Sequence, residues 1–308
     1  MQVLGRRVSF TSVVAAACIL GGAATAWFTF QTDSERLSKL DSVLADVAPL
    51  DDPSKASELE GRIVLVHGTA TPGGDLTDPD FNLNLPALKL FRDSQIYQWK
   101  ENGGKFRTYE EVWSEELIDS TFFDSVHRNQ GAIAYPDRFV KADHIDVVRG
   151  GVRLAALDAS YMQFIGGEVK LMLSWEQYSK LPVPMRLRFD LVNGSLVEKS
   201  AAAGSPRIGD NRTRFTMVPP YEVTVVGVLV KGKILSYDRT MKEVGILKPG
   251  NLNVAQLRES IQDDILDGSG IAAFLAGIMG VVGCVLFGND YRSAPRIQKP
   301  VKPIQFGR

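Results

Sequence analysis

Hydrophobic and polar positions alternate with a period near two along residues 86–101, and this segment dominates the pattern of the chain. β-Branched and aromatic side chains lie between charged and amide side chains there, as in a half-buried strand. Residues 102–104 (Asn-Gly-Gly) favour a tight reversal, and the alternation resumes at residues 106–113. We therefore predict a long antiparallel hairpin. Its most distinctive side chains are Tyr97, Gln98, Trp99 and Trp113.

Two interpretations of this hairpin remain open from the sequence. In the first, it is a packed antiparallel pair whose aromatic side chains belong to the core. In the second, the aromatic side chains form a surface for a partner or for the lipid interface.

The same periodicities predict further elements. Alternating or continuous apolar runs predict strands at residues 61–68 and 221–235, and Lys231-Gly232 predicts a turn that follows the second of these runs. Asn193-Gly194 predicts a hairpin within residues 185–199. Helical spacing of apolar residues predicts helices. These lie at residues 32–48, 152–164 and 254–266. The Gly-, Pro- and Asp-rich stretch at residues 69–84 predicts a loop.

Two long uncharged segments bracket this polar middle. Residues 8–30 and 268–289 run for 23 and 22 positions without a charged side chain. A helix of about 20 residues crosses a hydrocarbon core of ~30 Å, so we predict a transmembrane helix in each. The other predicted parts are a cytoplasmic N-terminus (1–7), an amphipathic helix and linker (31–60), an extracytoplasmic domain (61–267) and a basic cytoplasmic tail (290–308).

The first apolar segment also has features of a cleaved signal peptide. Two arginines precede it, and residues 24–26 (Ala-Thr-Ala) fit a small-x-small cleavage site. Three aromatic residues, Trp27, Phe28 and Phe30, continue the apolar run past that site. Aromatic residues at this depth suit a membrane interface, so an uncleaved anchor is favoured.

The distribution of charge gives the predicted topology. The formal net charge of the chain is −1. Residues 8–289, from the start of the first apolar segment to the end of the second, carry 28 basic and 35 acidic side chains, a net charge of −7. Basic residues flank the outer end of both segments and place both termini in the cytoplasm. The acidic middle is then periplasmic or otherwise extracytoplasmic, or lumenal in a eukaryotic cell. Its acidity argues against nucleic-acid binding.

Small residues recur at every fourth position of both apolar segments. Such rows let helix backbones approach closely in lipid. We therefore expect lipid, membrane proteins or further copies of the chain as partners, with a homo-oligomer as the expected state. The predicted helix-packing positions are Gly21, Ala276, Gly280 and Gly288.

Candidate chemistry is weak along the whole sequence. Residues 78–82 (Asp-x-Asp-x-Asn) begin like a calcium loop, but Leu83 and Lys89 replace the Gly and Glu that the loop needs. The three histidines lack metal-ligand spacing, and both cysteines, Cys18 and Cys284, lie in the apolar segments. We therefore predict no catalytic residue, no cofactor and no metal site.

Several stretches resemble the transmembrane protein 43 (LUMA) family. They are residues 61–68 (GRIVLVHG), 87–101 (ALKLFRDSQIYQWKE), 113–123 (WSEELIDSTFF), and Gly209-Asp210 followed by residues 221–232. Their order and spacing match across most of residues 58–285, and the YQW-containing stretch is the most specific.

This resemblance implies an integral membrane protein with a large domain in the lumen of the endoplasmic reticulum or nuclear envelope. In prokaryotic relatives the domain is expected outside the plasma membrane. Animal members are associated with nuclear-envelope organisation and with lamin and emerin partners, and no catalytic residue is carried over. The better-known members have several hydrophobic segments after the domain, whereas this chain has one and a short basic tail.

These observations predict an α+β membrane protein. Two transmembrane helices flank a large, mainly antiparallel, β-rich extracytoplasmic domain with helical inserts, in two lobes divided near residues 150–166. The first hypothesis for its function is a non-enzymatic envelope or endomembrane protein that scaffolds membrane partners. The second is an extracytoplasmic ligand-binding or sensing module, with its ligand near the hairpin and residues 75–82. A hydrolase ranks last, because it needs a nucleophile and a base within hydrogen-bond reach in a cleft.

Overall fold

The structure of the chain, a computed structural model, describes residues 2–3, 6–7, 24, 31–103, 107–202, 204–236 and 245–265. The two predicted transmembrane segments lie outside the described residues apart from position 24, as do the packing positions Gly21, Ala276, Gly280 and Gly288. Among the residues that are described, no helix combines the length and the hydropathy needed to span a bilayer.

Strands make up most of the described elements. They are β1 (Gln2–Val3), β2 (Arg6–Arg7), β3 (Ala48–Pro49), β4 (Ile63–Pro72), β5 (Leu76–Asp78), β6 (Leu83–Leu85), β7 (Lys89–Asn102), β8 (Thr108–Ser114), β9 (Arg138–Lys141), β10 (Ile145–Arg149), β11 (Val152–Leu157), β12 (Val169–Leu171), β13 (Phe189–Val192), β14 (Ser195–Glu198), β15 (Asn211–Val218), β16 (Tyr221–Val230), β17 (Lys233–Leu235) and β18 (Ile246–Pro249).

Among the residues that the structure describes, the helices are few and mostly short. They are α1 (described over residues 31–45), α2 (Trp175–Lys180), α3 (Val183–Arg188), α4 (Lys199–Ala202) and α5 (described over residues 254–265), with 3-10 helices at Pro53–Ser57 and Ala159–Phe164.

The chain divides into two compact units, of which the first contains Met1–Ala45 and Val254–Arg308. Its helix α1 buries Leu40 and Leu44 on one face, as the spacing of the apolar residues predicts. In α5, Leu257 is fully buried. Arg258 of α5 donates two hydrogen bonds to the carboxylate of Asp41 in α1, at 2.6 and 3.1 Å. This exposed ion pair links the two helices.

The second unit, Asp46–Asn253, is built on two seven-stranded sheets. The first sheet has the order β18-β16-β17-β11-β10-β4-β3, and β16 also pairs with β4, so that its pairings close into a ring. The β4–β16 pairing runs from Tyr221 opposite Ala70 to Val228 opposite Ile63. In β16 the side chains from Val223 to Leu229 are buried, and in β4 the buried side chains are Val64, Leu65, Val66 and Ala70, so the centre of the pairing is apolar.

The second sheet is antiparallel throughout and is centred on β7. Its order is β13-β14-β15-β7-β8, with β12 beside β15 and β9 beside β7. The predicted long hairpin is confirmed, because β7 pairs with β8 and places Tyr97 opposite Trp113 and Trp99 opposite Glu111. The β-rich character predicted for the domain is confirmed as well.

Two tight turns also confirm the sequence prediction. Asn193 and Gly194 have φ angles of 49° and 72°, and they join β13 to β14. Lys231 and Gly232 have φ angles of 51° and 72°, and they join β16 to β17. Positive φ at both central residues matches the right-handed twist of the strands that such turns connect.

Four predictions about local structure and lobes were wrong. Residues 152–164 form β11 and a 3-10 helix, because Gly150-Gly151 turn the chain with positive φ and let β11 pair with β10. Residues 69–84 contain the end of β4 and the β5–β6 hairpin. Residues 183–188 are helical, so the hairpin is shorter than predicted. Both sheets take strands from either side of residues 150–166, so no lobe boundary lies there.

One hydrophobic cluster joins the two sheets. Val66 and Val225 from the first sheet belong to the same buried cluster as Leu90 and Phe215 from the second. The central strand β7 is thereby fixed along its N-terminal half by core packing. Its C-terminal half carries the hairpin that the next subsection describes.

His67 gives the folded domain a predicted pH dependence. Burial lowers the pKa of His67, whose Nδ1 lies 3.0 Å from Oγ1 of the fully buried Thr224. As the pH falls below the ordinary value of about 6.5, the unfolded chain takes up a proton that the folded state resists, so stability falls. We expect the thermal midpoint of the detergent-purified chain to drop less between pH 7.5 and 5.5 in His67→Gln than in the wild type. His144→Gln, at a half-exposed position, is the control; an unchanged pH dependence in His67→Gln contradicts the prediction.

Candidate interaction face on the β7–β8 hairpin

Alternate side chains of β7 lie on opposite sides of the second sheet. Ser94, Ile96 and Gln98 are buried, while the intervening Tyr97 and Trp99 are half-buried. The register brings side chains of β8 to the half-buried side, since Tyr109, Glu111 and Trp113 lie opposite Glu101, Trp99 and Tyr97. We call this side the hairpin face. It is defined by Tyr97, Trp99, Tyr109 and Trp113.

Tyr97 and Trp113 form the centre of the hairpin face. Their ring centroids lie 5.1 Å apart, and the hydroxyl of Tyr97 donates a 3.1 Å hydrogen bond to Oε2 of Glu111. Partial desolvation and the Glu111 carboxylate raise the pKa of Tyr97. The phenol therefore stays protonated at neutral pH and keeps donating to Glu111.

A cation lies over the Trp113 ring of this aromatic pair. The guanidinium carbon of Arg212, on β15, lies 4.5 Å from the centroid of the Trp113 ring. Arg212 also donates to Oε1 of Gln95, whose amide nitrogen donates a 3.1 Å bond to Glu115. Desolvation lowers the pKa of Arg212, and the nearby charge of Arg214 lowers it further. Desolvation also strengthens the attraction between a cation and an aromatic ring.

A second aromatic group surrounds His127. The imidazole stacks on Tyr109 with centroids 4.2 Å apart and meets the ring of Trp99 edge-on at 4.5 Å. Phe123 packs against Tyr109 at 5.2 Å, and Nδ1 of His127 lies 2.7 Å from Oδ1 of Asp124. Residues 115–130, which we call the strap, therefore contribute side chains to the hairpin face.

Two amide side chains fasten the strap to β7. Gln98 donates a 2.8 Å bond from Nε2 to the carbonyl of Glu116, and its Oε1 accepts a 3.0 Å bond from the amide of Ile118. Asn129 accepts from the backbone amide of Trp99 at 2.6 Å and donates to the carbonyl of the same residue at 2.9 Å. Gln98 is 1% exposed, so it positions the strap rather than presenting a surface.

Gln98 carries a testable prediction. Gln98→Leu keeps the size of the side chain but leaves the Glu116 carbonyl and the Ile118 amide without their partner. An unsatisfied buried polar group costs about 1–3 kcal/mol, so we expect a loss of that size and faster amide exchange in the strap. The measurement is hydrogen exchange and thermal unfolding of the full chain, with Gln130→Leu as the matched control at an exposed position. Equal behaviour of the two variants contradicts the role of Gln98.

The strap and the hairpin line a groove of about 850 Å³ that is open to solvent. Trp113 and Phe123 supply aromatic walls, and Glu101, Glu115 and Asp119 are among the acidic residues that line it. The strap also leaves apolar tips in solvent. These are Leu117, Phe122 and Val126, which are 59%, 81% and 78% exposed.

The calcium-like sequence at residues 78–82 forms an ion pair instead. Nη1 of Arg92 donates to both carboxylate oxygens of Asp78, at 2.8 and 2.9 Å, and lies 2.8 Å from Oδ2 of Asp80. Arg92 and Asp78 are 2% and 1% exposed. Across the described ranges, no cluster of three or more His, Cys, Asp or Glu side chains is arranged to hold a metal ion.

One hydroxyl–imidazole pair deserves comparison with a catalytic dyad. Oγ1 of Thr224 lies 3.0 Å from Nδ1 of His67, but Thr224 is fully buried. Its hydroxyl donates to the carbonyl of Gly250 at 2.7 Å and accepts from the amide of Leu252 at 2.8 Å. This arrangement ties β16 to the segment after β18, so the pair is structural.

The structure brings three of the four predicted hairpin residues together on one face. Tyr97, Trp99 and Trp113 lie on the hairpin face, and Gln98 lies on the opposite, buried side. Sequence reasoning missed Arg212 and Asn129. The alternation of residues 211–218 signals that Arg212 is on a strand, but no pattern signals that this strand lies beside β7.

Comparison with known proteins matches this region to a family. The family model described as transmembrane protein 43 matches residues 95–291, more than half of the chain, and includes most of the hairpin. The transmembrane protein 43 homologue of Drosophila melanogaster is 28% identical over 243 residues, covering 71% of this chain and 60% of the relative. No solved structure matches the chain.

Mammalian relatives match over shorter stretches. Transmembrane protein 43 of Homo sapiens is 31% identical over 118 residues, which cover 33% of this chain and 30% of the relative. The protein of the same name from Rattus norvegicus is 30% identical over 138 residues, which cover 38% of this chain and 34% of the relative. The matches thus span between about a third and three fifths of these curated relatives. The resemblance seen in the sequence is confirmed, and the chain belongs to the transmembrane protein 43 family.

Proposed function

We propose that this chain is a non-enzymatic membrane protein that organises partner proteins through the hairpin face. Membership of the transmembrane protein 43 family indicates a membrane protein. The observation that carries the proposal is the half-buried group of Tyr97, Trp99 and Trp113 with the Arg212 cation above it. Tyrosine, tryptophan and arginine are the residues enriched where protein interfaces gain most of their binding energy.

The exposed tips of the strap extend this surface. Phe122 and Val126 are 81% and 78% exposed although the strap itself is fastened by Gln98 and Asn129. Apolar side chains held in solvent by an ordered segment are typical of a surface that a partner covers. The tips would then meet a membrane protein or a second copy of the chain.

The polar groups of the face favour binding over catalysis. The Tyr97 hydroxyl donates a hydrogen bond to Glu111. The His127 imidazole is hydrogen-bonded to Asp124 and stacks on Tyr109. A hydrolase needs a nucleophile that a base can reach from an open cleft. Within the described part of the chain, the hydroxyl of Thr224 beside His67 is fully buried and is bonded to the backbone of Gly250 and Leu252 instead.

The groove supports a second candidate function, a ligand-binding or sensing module. Its volume of about 850 Å³ is in the range of small-molecule sites, and its aromatic walls lie beside several carboxylates. A cationic ligand with an apolar part suits that lining. Residues 75–82 are less suited to bind such a ligand than the groove, because the Asp78 carboxylate is already paired with Arg92.

Photo-crosslinking in native membranes tests the proposal. The full chain carries a benzophenone amino acid at Phe122, next to the hairpin face, or at Val152, a half-exposed control position in the first sheet. We expect a discrete protein adduct from position 122, weakened by Trp113→Ala, and none from position 152. Equal adducts at both positions, or none at position 122, contradict an interface at the hairpin face. An adduct of small mass in place of protein favours the ligand-binding alternative.

A further inference from the structure

A second exposed apolar surface occurs in the stretch from Met172 to Leu187. Met172, Trp175, Val183 and Leu187 are 55%, 68%, 56% and 70% exposed. We call these four side chains the α2–α3 patch. Single exposed apolar residues are ordinary on proteins, but four of them within sixteen residues, one of them a tryptophan, mark an interaction surface.

The fold holds the patch on an ordered support. The hydroxyl of Tyr178 donates to the carbonyl of Phe189 at 2.8 Å and lies 3.3 Å from that of Arg186, which connects α2 to the end of α3. The ring of Trp175 meets Tyr178 edge-on at 5.4 Å. Val183 and Leu187 lie one turn apart on α3 and therefore share a side of that helix.

The inner residues of the same stretch are already packed. Leu173 and Leu181 are 4% and 3% exposed, and Phe189 is fully buried. A capping box between Ser174 and Gln177 fixes the start of α2. One set of apolar residues in this stretch therefore packs in the core, and a second set lies in solvent. The exposure of the patch does not reflect loose packing of the stretch.

The charge of this stretch is opposite to that of the domain. Residues 170–188 carry four basic side chains and one acidic side chain, a net of +3, whereas residues 8–289 together carry −7. The basic residues are Lys170, Lys180, Arg186 and Arg188. Lys180 pairs with Glu176 and Arg188 pairs with Glu198, each at 2.6 Å, and with Glu198 included the net charge is +2. Tryptophan and aliphatic side chains beside lysine and arginine form the composition that settles at the boundary between lipid headgroups and acyl chains.

We propose that the α2–α3 patch docks the domain onto the headgroup region of an anionic bilayer. Trp175 and Leu187 enter the interface, and Lys170 and Arg186 meet the lipid phosphates, while Lys180 and Arg188 remain paired with Glu176 and Glu198. A negatively charged leaflet attracts this stretch while it repels the acidic remainder of the domain, which orients the docked state. This contact is separate from the hairpin face, so it goes beyond the function proposed above and does not depend on it.

Site-directed fluorescence tests the docking in the complete protein. The full chain, with Cys18→Ala and Cys284→Ala, carries one new cysteine through Leu187→Cys or, as the control, Val126→Cys in the strap. Both native positions are at least 70% exposed. An environment-sensitive dye is attached, and the chain is reconstituted in vesicles of phosphatidylcholine with phosphatidylglycerol that contain a headgroup nitroxide lipid. We expect quenching at position 187 to exceed that at position 126 by about twofold or more.

Salt and charge variants give an independent second readout. Raising the salt, omitting phosphatidylglycerol, or adding Lys170→Gln should each lower the quenching at position 187, because all three weaken the attraction to anionic lipid. Equal quenching at positions 187 and 126 overturns the proposal. A dye at position 187 that is shielded from water but not quenched by the nitroxide lipid also overturns it, because a protein partner or a second copy then covers the patch.

Discussion

Replacing Arg92 with leucine is expected to lower the free energy of unfolding by about 3–5 kcal/mol, because it leaves a buried carboxylate without its cation. Asp78 is 1% exposed and receives both of its close charge-assisted bonds from Nη1 of Arg92. The same guanidinium donates to the carbonyl of Pro136 through Nε and Nη2, at 3.1 and 2.8 Å. Arg92 thus ties the β5 strand, the β7 strand and the segment before β9 together.

The control for Arg92 is its exposed neighbour. Arg138 lies 4.0 Å from Asp80 with 44% of its side chain exposed, so Arg138→Leu should cost about 0–1 kcal/mol. The double variant Arg92→Leu with Asp78→Asn should be more stable than Arg92→Leu alone, because it removes the stranded charge. Thermal and urea unfolding of the detergent-purified chain measures all three. A loss of less than about 1 kcal/mol for Arg92→Leu contradicts the buried pair.

Replacing Gly227 with valine is expected to destabilise the domain by about 3 kcal/mol or more, because the site has no room for a Cβ atom. A Cβ at position 227 falls 2.1 Å from the hydroxyl oxygen of Tyr161 and 2.5 Å from the carbonyl oxygen of Leu235. Tyr161 is fully buried, and its hydroxyl donates to the carbonyl of Val226 at 2.6 Å. Burial raises the pKa of Tyr161, so this donor stays protonated.

A double-mutant cycle separates the clash from the lost hydrogen bond. Tyr161→Phe alone should cost about 1–3 kcal/mol, because the Val226 carbonyl loses a buried donor. In a Gly227→Ala background the same change should cost less, since it removes the atom closest to the new methyl group. Gly74→Ala is the control, because nothing lies within 4 Å of its added Cβ. Additive effects of the two changes would show that Gly227 and Tyr161 do not compete for space.

Regular alternation let the sequence predict the hairpin and the long strands. Residues 86–113 alternate strictly enough that β7 and β8 follow, and the Asn-Gly and Lys-Gly dipeptides mark two real turns. Helical spacing at Leu40 and Leu44 likewise predicts α1. These features depend on neighbours in sequence, so periodicity and turn chemistry are sufficient to find them.

Pairings between segments that are far apart in the chain could not be predicted from the sequence. Residues 152–157 (VRLAAL) have good helix formers, yet they form β11 because β10 and β17 supply strand edges on both sides. In the sequence Asp78 resembles a calcium ligand. Only the structure shows that both of its carboxylate oxygens accept hydrogen bonds from Arg92. Gln98 belongs to the specific YQW stretch, but its role depends on the strap, which contacts it from about twenty residues away in sequence.

Footprinting of the hairpin face in the native membrane is the most direct test of a protein interface there. Hydroxyl radicals modify exposed aromatic side chains, so intact membranes and the detergent-purified chain can be compared at Tyr97, Trp99 and Trp113, with Trp175 followed separately for lipid contact. We expect strong protection of the three hairpin aromatics in membranes and loss of that protection after purification away from partners. Equal modification of these three residues in both preparations would contradict an interface at the hairpin face.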